Sequence, residues 1–359
     1  MPRIARRLLA RLVVSGGLAV ALGTAGLLAP AFAPSSASAA EDGGADRVVV
    51  GALRFTSSAP IFIAYERGYF ADEGLDVAFS FFQGAQPVAV AIASGDVDFG
   101  LTALTGGFFN LARNGALKVI GGHFHEVPDH EGSAVLASNQ AYDAGLTSPE
   151  ALAGHSLAIT QVGSSFHYMA GRIAEAAGFP LSEISLKPMQ KVGAMIGALK
   201  SGQVDSMIIV PHIAHALDKA GAAKIIGWVN AYAPYQVTTL FTSTRNVAER
   251  PALVERFVRA YQRGIADYRA VMLDQEADPA ATDEMTRLIH QYVYTDRPYD
   301  KAAPSIQAGA IYVNENARLD VGDVAAQVRW FQDQGLLATD FDHTDIVDTR
   351  FVEAYNVPD

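Results

Sequence analysis

The sequence of 359 residues contains no cysteine. This excludes structural disulfides, thiolate metal centres, a cysteine nucleophile and a lipid anchored through cysteine. Basic residues are also scarce, 27 Lys and Arg against 38 Asp and Glu, which leaves a net charge of −11. So acidic a chain is a poor partner for nucleic acid or anionic lipid, although a local site can still favour an anion. Beyond the first forty residues there is no low-complexity tract, and no serine, histidine and acid fall at nucleophile-elbow spacing.

What is present begins with an export pattern. Arg3, Arg6, Arg7 and Arg11 form a basic start, Leu12 to Phe32 is almost wholly apolar, and Ala37-Ser38-Ala39 offers small residues at a cleavage position. Residues 1–39 are therefore expected to be a signal peptide cleaved near Ala39, by the general or the twin-arginine route. The glycines and Pro30 within the apolar run argue against a retained membrane anchor. Without residues 1–39 the charge falls to −15, and a free protein of the periplasm is expected.

Apolar and glycine punctuation outlines an α/β chain. Arg47 to Leu53, Val77 to Phe82 and Val97 to Leu101 read as buried strands, with a helix starting at Pro60 and another from Pro87 to Ser94 that ends at Gly95. Leu157 to Thr160 and Met207 to Val210 read as further strands, and Ser165 to Ala177 as a helix. From Pro251 onward Val254, Phe257, Val258, Tyr261, Ile265 and Tyr268 are spaced three and four apart, marking a long amphipathic helix. Asp323 to Asp333 begins another, ended by Gly335.

One unit occurs twice. Ala91-Ile92-Ala93-Ser94-Gly95-Asp96-Val97-Asp98 is echoed by Ala198-Leu199-Lys200-Ser201-Gly202-Gln203-Val204-Asp205. Each string asks an apolar helix to stop at glycine and reverse into a buried parallel strand. The repeat implies two related lobes, the first from 40–136 with 237–359 and the second from 137–236.

These features together resemble the nitrate/sulfonate/taurine-type substrate-binding proteins of ABC importers, within the thiamine-pyrimidine synthase-like superfamily. The likeness is carried by Ala64 to Val77 around Arg67-Gly68-Tyr69-Phe70, Ser94-Gly95-Asp96-Val97-Asp98-Phe99-Gly100, Gly163-Ser164-Ser165-Phe166-His167, Ser201 to Asp205, and Trp330 to Leu337. It implies a type II periplasmic-binding-protein fold, two lobes each with a mostly parallel sheet flanked by helices. It also implies a small-molecule ligand, a membrane permease as partner, no enzymatic step and no cofactor. A monomer is expected. Where many relatives carry an aromatic, an acid and proline, this chain has Val210-Pro211-His212, so the acid that would hold a ligand ammonium is missing.

Ligands of open α/β sheets sit beyond the carboxyl ends of strands, where helix starts leave N–H groups unpaired. Candidate contacts are therefore Thr56, Ser57 and Ser58 after the first strand, Gln83 after the second, and Thr102, Ala103 and Thr105 after the third. Gly163, Ser164 and Ser165 open the helix of the second lobe. His123, His167, Pro211, His212 and Trp228 could add imidazole donors and flat walls. Serine and threonine also cap helices with no ligand at all. The expected ligand is a small organic anion, of the sulfonate or carboxylate class, or a polar aromatic. Two alternatives are an enzyme on the same fold acting on a pyrimidine or menaquinone precursor, and a metal-binding receptor built on His123, His125, His130, Asp129 and Glu126.

Overall fold

The computed structural model describes residues 44–274 and 276–358. The signal segment read at residues 1–39 lies outside them. No described helix is long and apolar enough to cross a membrane.

Two five-stranded sheets organise the chain. Across the first the order is Leu75–Phe81, Asp46–Ala52, Phe99–Ala103, Thr238–Ser243 and Leu117–Gly122. Across the second it is Lys224–Trp228, Ala134–Ala137, Ser206–Ile209, Ser156–Ile159 and Ser185–Pro188. Three neighbouring strands are parallel in each sheet, and the remaining pairings are antiparallel. Four of the five strands in each sheet thus run in one direction, the mostly parallel arrangement expected, and a single antiparallel strand makes each sheet mixed. In the first, the cause is Thr238–Ser243, which returns from the second sheet and inserts between Phe99–Ala103 and Leu117–Gly122.

The chain passes between the sheets at His125–Glu126 and Tyr235–Gln236, which pair antiparallel with one another. Ala134–Ala137 accordingly stands in the second sheet, ahead of the boundary at 137 read from sequence.

The repeated unit has one structural role in both sheets. Gly95 (φ 86°) and Gly202 (φ 71°) turn the chain out of their helices in the left-handed region that glycine tolerates. Three residues after each glycine an aspartate reaches the neighbouring parallel strand. Val49 N–H donates to Asp98 Oδ2 and Ser156 N–H to Asp205 Oδ2, each at 2.8 Å. Because Asp98 is held in this turn, the strand starts at Phe99 and not at Val97.

The helix Pro251–Tyr268 buries all six residues of its predicted apolar stripe. Phe257 stacks on Phe99 at 3.8 Å and on Phe70 at 5.0 Å, which joins the helix to the first sheet. Burying such a side chain contributes about 1.5–3 kcal/mol. The helix Val321–Asp333 packs against Ser165–Ala177 of the second half, where Gly171 leaves room for the Trp330 ring.

Candidate functional site

A cleft of about 540 Å³ lies between the carboxyl ends of the strands of the two sheets. From the first half, Leu53, Ser57, Phe82 and Thr102 line it, and from the second Thr160, Ser165, Gln190 and Val210. Eight residues singled out from sequence fall on its wall: Ser57, Ser58, Thr102, Ala103, Thr105, His123, Ser164 and Ser165.

Their hydrogen bonds divide them by role. Thr105 is a helix cap: its oxygen accepts from Phe108 N–H at 3.0 Å, and its proton goes to Gln86 Oε1 at 2.5 Å. Ser164 caps Ser165–Ala177 by accepting from His167 N–H at 3.4 Å, which leaves its own proton available. Ser58 precedes the helix Ala59–Glu66 without capping it. The hydroxyls of Ser57, Ser58 and Ser165 have no hydrogen-bond partner among the described residues, and all three residues line the cleft. Thr102 Oγ1 makes only a 3.5 Å contact with Ala103 O. At the start of Ser165–Ala177 the N–H groups of Ser165 and Phe166 precede the first intrahelical bond and are open to a ligand.

His123 lines the cleft, but both ring nitrogens are engaged. Tyr261 O–H donates to Nδ1 at 2.5 Å, and Nε2–H donates to Ser57 O. Burial lowers its pKa to about 4, so the ring is neutral. It therefore tethers the Ser57 backbone and offers a ligand its carbon edge, where the sequence suggested a donor.

Seven candidates do not line the cleft. Thr56 and His212 are buried behind it: Thr56 Oγ1 donates to Gly309 O at 2.8 Å and accepts from His212 Nδ1–H at 2.9 Å. Burial, then the Arg297 charge, lower the His212 pKa to about 3. Pro211 starts the helix Pro211–Lys219, and Val210 meets the cleft in its place. Gln83 is exposed, turned away between Phe82 and Gly84, which both line the wall. Gly163 and His167 form a turn beside the cleft, with Gly163 N–H donating to His167 Nδ1 at 3.0 Å. The His167 ring stands edge-on to Trp330 at 5.3 Å. Trp228 lines a separate surface pocket with Asp129 and Glu131.

The two halves touch at the rim. Gly106 N–H, at the start of Gly106–Arg113, donates to Gly163 O at 2.8 Å. The Phe331 ring lies beneath both glycines.

The proposed histidine cluster does not assemble as a metal site. His123 is fully engaged, Glu126 accepts from Ser133 N–H at 2.8 Å, and the His130 ring packs on Tyr312. Among the described residues, the set whose metal-type ligands converge is His125, Asp320 and Asp323. It sits at the crossover strands, outside the cleft lining.

Phe82, Gln86, Ser133 and Gln190 also line the cleft and were not singled out from sequence. Phe82 and Gln86 flank Gly84 at a strand-to-helix turn, and the strand-end rule could have found them. Gln190 adopts φ 67°, and nothing in the sequence marks that conformation.

Two α/β halves joined by paired crossover strands, with a cleft at the strand ends, define the periplasmic-binding-protein fold. The chain belongs to the NMT1/THI5-like family, whose model matches residues 55–271. No curated protein sequence matches it. It is similar to the alkanesulfonate-binding protein SsuA of Xanthomonas axonopodis pv. citri bound to MOPS, at 15% identity and TM-score 0.67, covering 85% of this chain and 99% of that one. The nitrate-binding protein NrtA of Synechocystis PCC 6803 is similar at 13% identity and TM-score 0.66, over 84% and 86% of the two chains. The Candida albicans CA3427 product, described as having the generic periplasmic binding protein fold, is similar at 16% identity and TM-score 0.65, over 84% and 96%.

Proposed function

We propose that this protein is the extracytoplasmic solute-binding subunit of an ABC importer. It captures a small organic anion or a polar aromatic between two lobes and presents it to a membrane permease. One observation carries this reading: residues with unpartnered hydroxyls from opposite halves, Ser57 and Ser58 on one side and Ser165 on the other, line a single cleft at strand ends. Solved proteins of the same fold bind MOPS and nitrate, and the export pattern at residues 1–39 suits a site outside the membrane. The wall suits capture without turnover, because the histidine lining it has both nitrogens occupied and cannot accept a proton from a neighbouring serine.

The test is a thermal-shift screen of residues 40–359 against sulfonates, aromatic carboxylates, nitrate and pyrimidines, followed by calorimetry on any compound that raises the melting temperature. Ser165→Ala should weaken the binder by about 1–3 kcal/mol, with stability little changed because Ser165 caps nothing. Unaltered affinity in Ser57→Ala, Ser58→Ala and Ser165→Ala alike would remove the cleft from the account.

A further inference from the structure

The cleft wall carries little charge. Among the described residues lining it there is no lysine or arginine, and the one carboxylate, Asp96, is exposed and hydrogen-bonded to Ser94 at 2.7 Å. The nearest cations along the chain are turned elsewhere. Arg54 lies over the Phe81 ring at 3.8 Å and donates to Tyr292 O at 3.2 Å. Lys191 is exposed and is not part of the wall, although Gln190 and Val192 on either side of it are.

Of the amide donors that could replace a cation, the Ser165 and Phe166 N–H groups at one helix start are open, and several others are occupied. Gly106 N–H bonds to Gly163 O, Phe108 N–H to Thr105, His167 N–H to Ser164, and Gly163 N–H to the His167 ring. What faces the cleft in quantity is apolar: Phe55, Phe82, Phe124, Phe166, Met169 and Val237. A desolvated anion must recover its lost hydration from dense donors or a counter-charge, whereas an uncharged group needs only a few hydrogen bonds.

Resting on the solute-binding reading, we infer that the ligand is an uncharged amphiphile. Its aromatic or aliphatic body packs on the phenylalanines, and one neutral polar head bonds the Ser57, Ser58 and Ser165 hydroxyls and the amides of Gln86, Gln161 and Gln190. The anionic half of the proposed ligand range is thereby disfavoured.

Isosteric pairs that differ in charge alone test this: 4-toluenesulfonamide against 4-toluenesulfonate, phenylacetamide against phenylacetate, and hexanesulfonamide against hexanesulfonate, each titrated calorimetrically into residues 40–359. The neutral member should bind at least about tenfold more tightly in every pair that binds. An anion that binds as tightly as its neutral partner overturns the inference and leaves the solute-binding reading standing. If no pair member binds at millimolar concentration, the amphiphile assignment falls, and the wider screen judges the binding reading separately. Gln161→Arg, which places a cation on the wall, should raise affinity for the anions and erase the preference. Lys191→Ala should leave it unchanged. A folded Gln161→Arg protein that gains nothing for anions, or loss of the preference in Lys191→Ala, would show that wall charge does not set the choice.

Discussion

Gly106 donates its N–H to the carbonyl of Gly163 at 2.8 Å and so joins the helix starts of the two halves at the cleft rim. Gly163 holds φ 79°, and a Cβ there would stand 3.7 Å from the Gly106 Cα. Gly163→Ala should therefore lower stability by about 1–2 kcal/mol, the cost of forcing an L side chain into the left-handed region. At Gly106 a Cβ would meet Phe331 at 3.5 Å, an ordinary contact, so Gly106→Ala should cost distinctly less. Urea unfolding of both variants checks the order, and equal losses would contradict it.

The matching aspartates offer a second test. Asp98→Ala and Asp205→Ala each remove a carboxylate that accepts a strand N–H at 2.8 Å. Both side chains are partly exposed, so each loss should be about 1 kcal/mol or somewhat more in chemical denaturation. A large loss at one position with none at the other would mean that the two units do not do the same work.

Glu126, on a crossover strand, is fully buried, and burial raises its pKa to about 7. The folded protein therefore holds a proton that the unfolded chain releases near 4.5. Its contribution to stability is present below that value and is lost as pH rises through 7. Glu126→Gln keeps the acceptor for Ser133 N–H without the charge. The variant should gain on the natural protein as pH rises, by up to about 3 kcal/mol above pH 7. Denaturation at pH 5 and pH 8 should show the gap opening, and a constant gap would exclude buried ionisation at this position.

His123 behaves in the opposite sense. Its folded pKa of about 4 lies below the unfolded value of 6.5, so its contribution is present above 6.5 and is lost as pH falls towards 4. His123→Gln should be less stable at pH 7.5, because the bonds to Tyr261 and Ser57 are disturbed. The difference from the natural protein should then narrow by up to about 3 kcal/mol on acidification. Melting curves between pH 7.5 and 4.5 measure it, and an undiminished difference would mean the imidazole is not buried and neutral.

Much of this fold was legible because local rules and tertiary packing agree. The stripe from Val254 to Tyr268 is buried as its spacing required, and Gly95 and Gly202 take the left-handed turns that the repeat demanded. The mixed character of the sheets was not legible. Strand direction in Thr238–Ser243 is set by where the chain re-enters the first sheet, and no residue in the strand encodes that. At the cleft, strand-end position located Ser57, Thr102 and Ser165, but it could not separate histidines that face the gap from those locked behind it. His212 is buried because Thr56 and Gly309 converge on it from distant parts of the chain. Gln83 lies in the bend beyond the strand Leu75–Phe81 and is exposed, and Phe82 beside it lines the wall instead.

The most direct test follows the two halves as they close. A chain without cysteine allows clean labelling, and Gln83 and Lys187 are exposed positions in opposite halves, outside the cleft wall. Spin labels on Gln83→Cys and Lys187→Cys report the separation by pulsed electron resonance, with and without whichever compound calorimetry shows to bind. A broad or longer distance that collapses to one shorter distance on binding is the expected result. An identical distance distribution in the free and the saturated protein would contradict capture by closure.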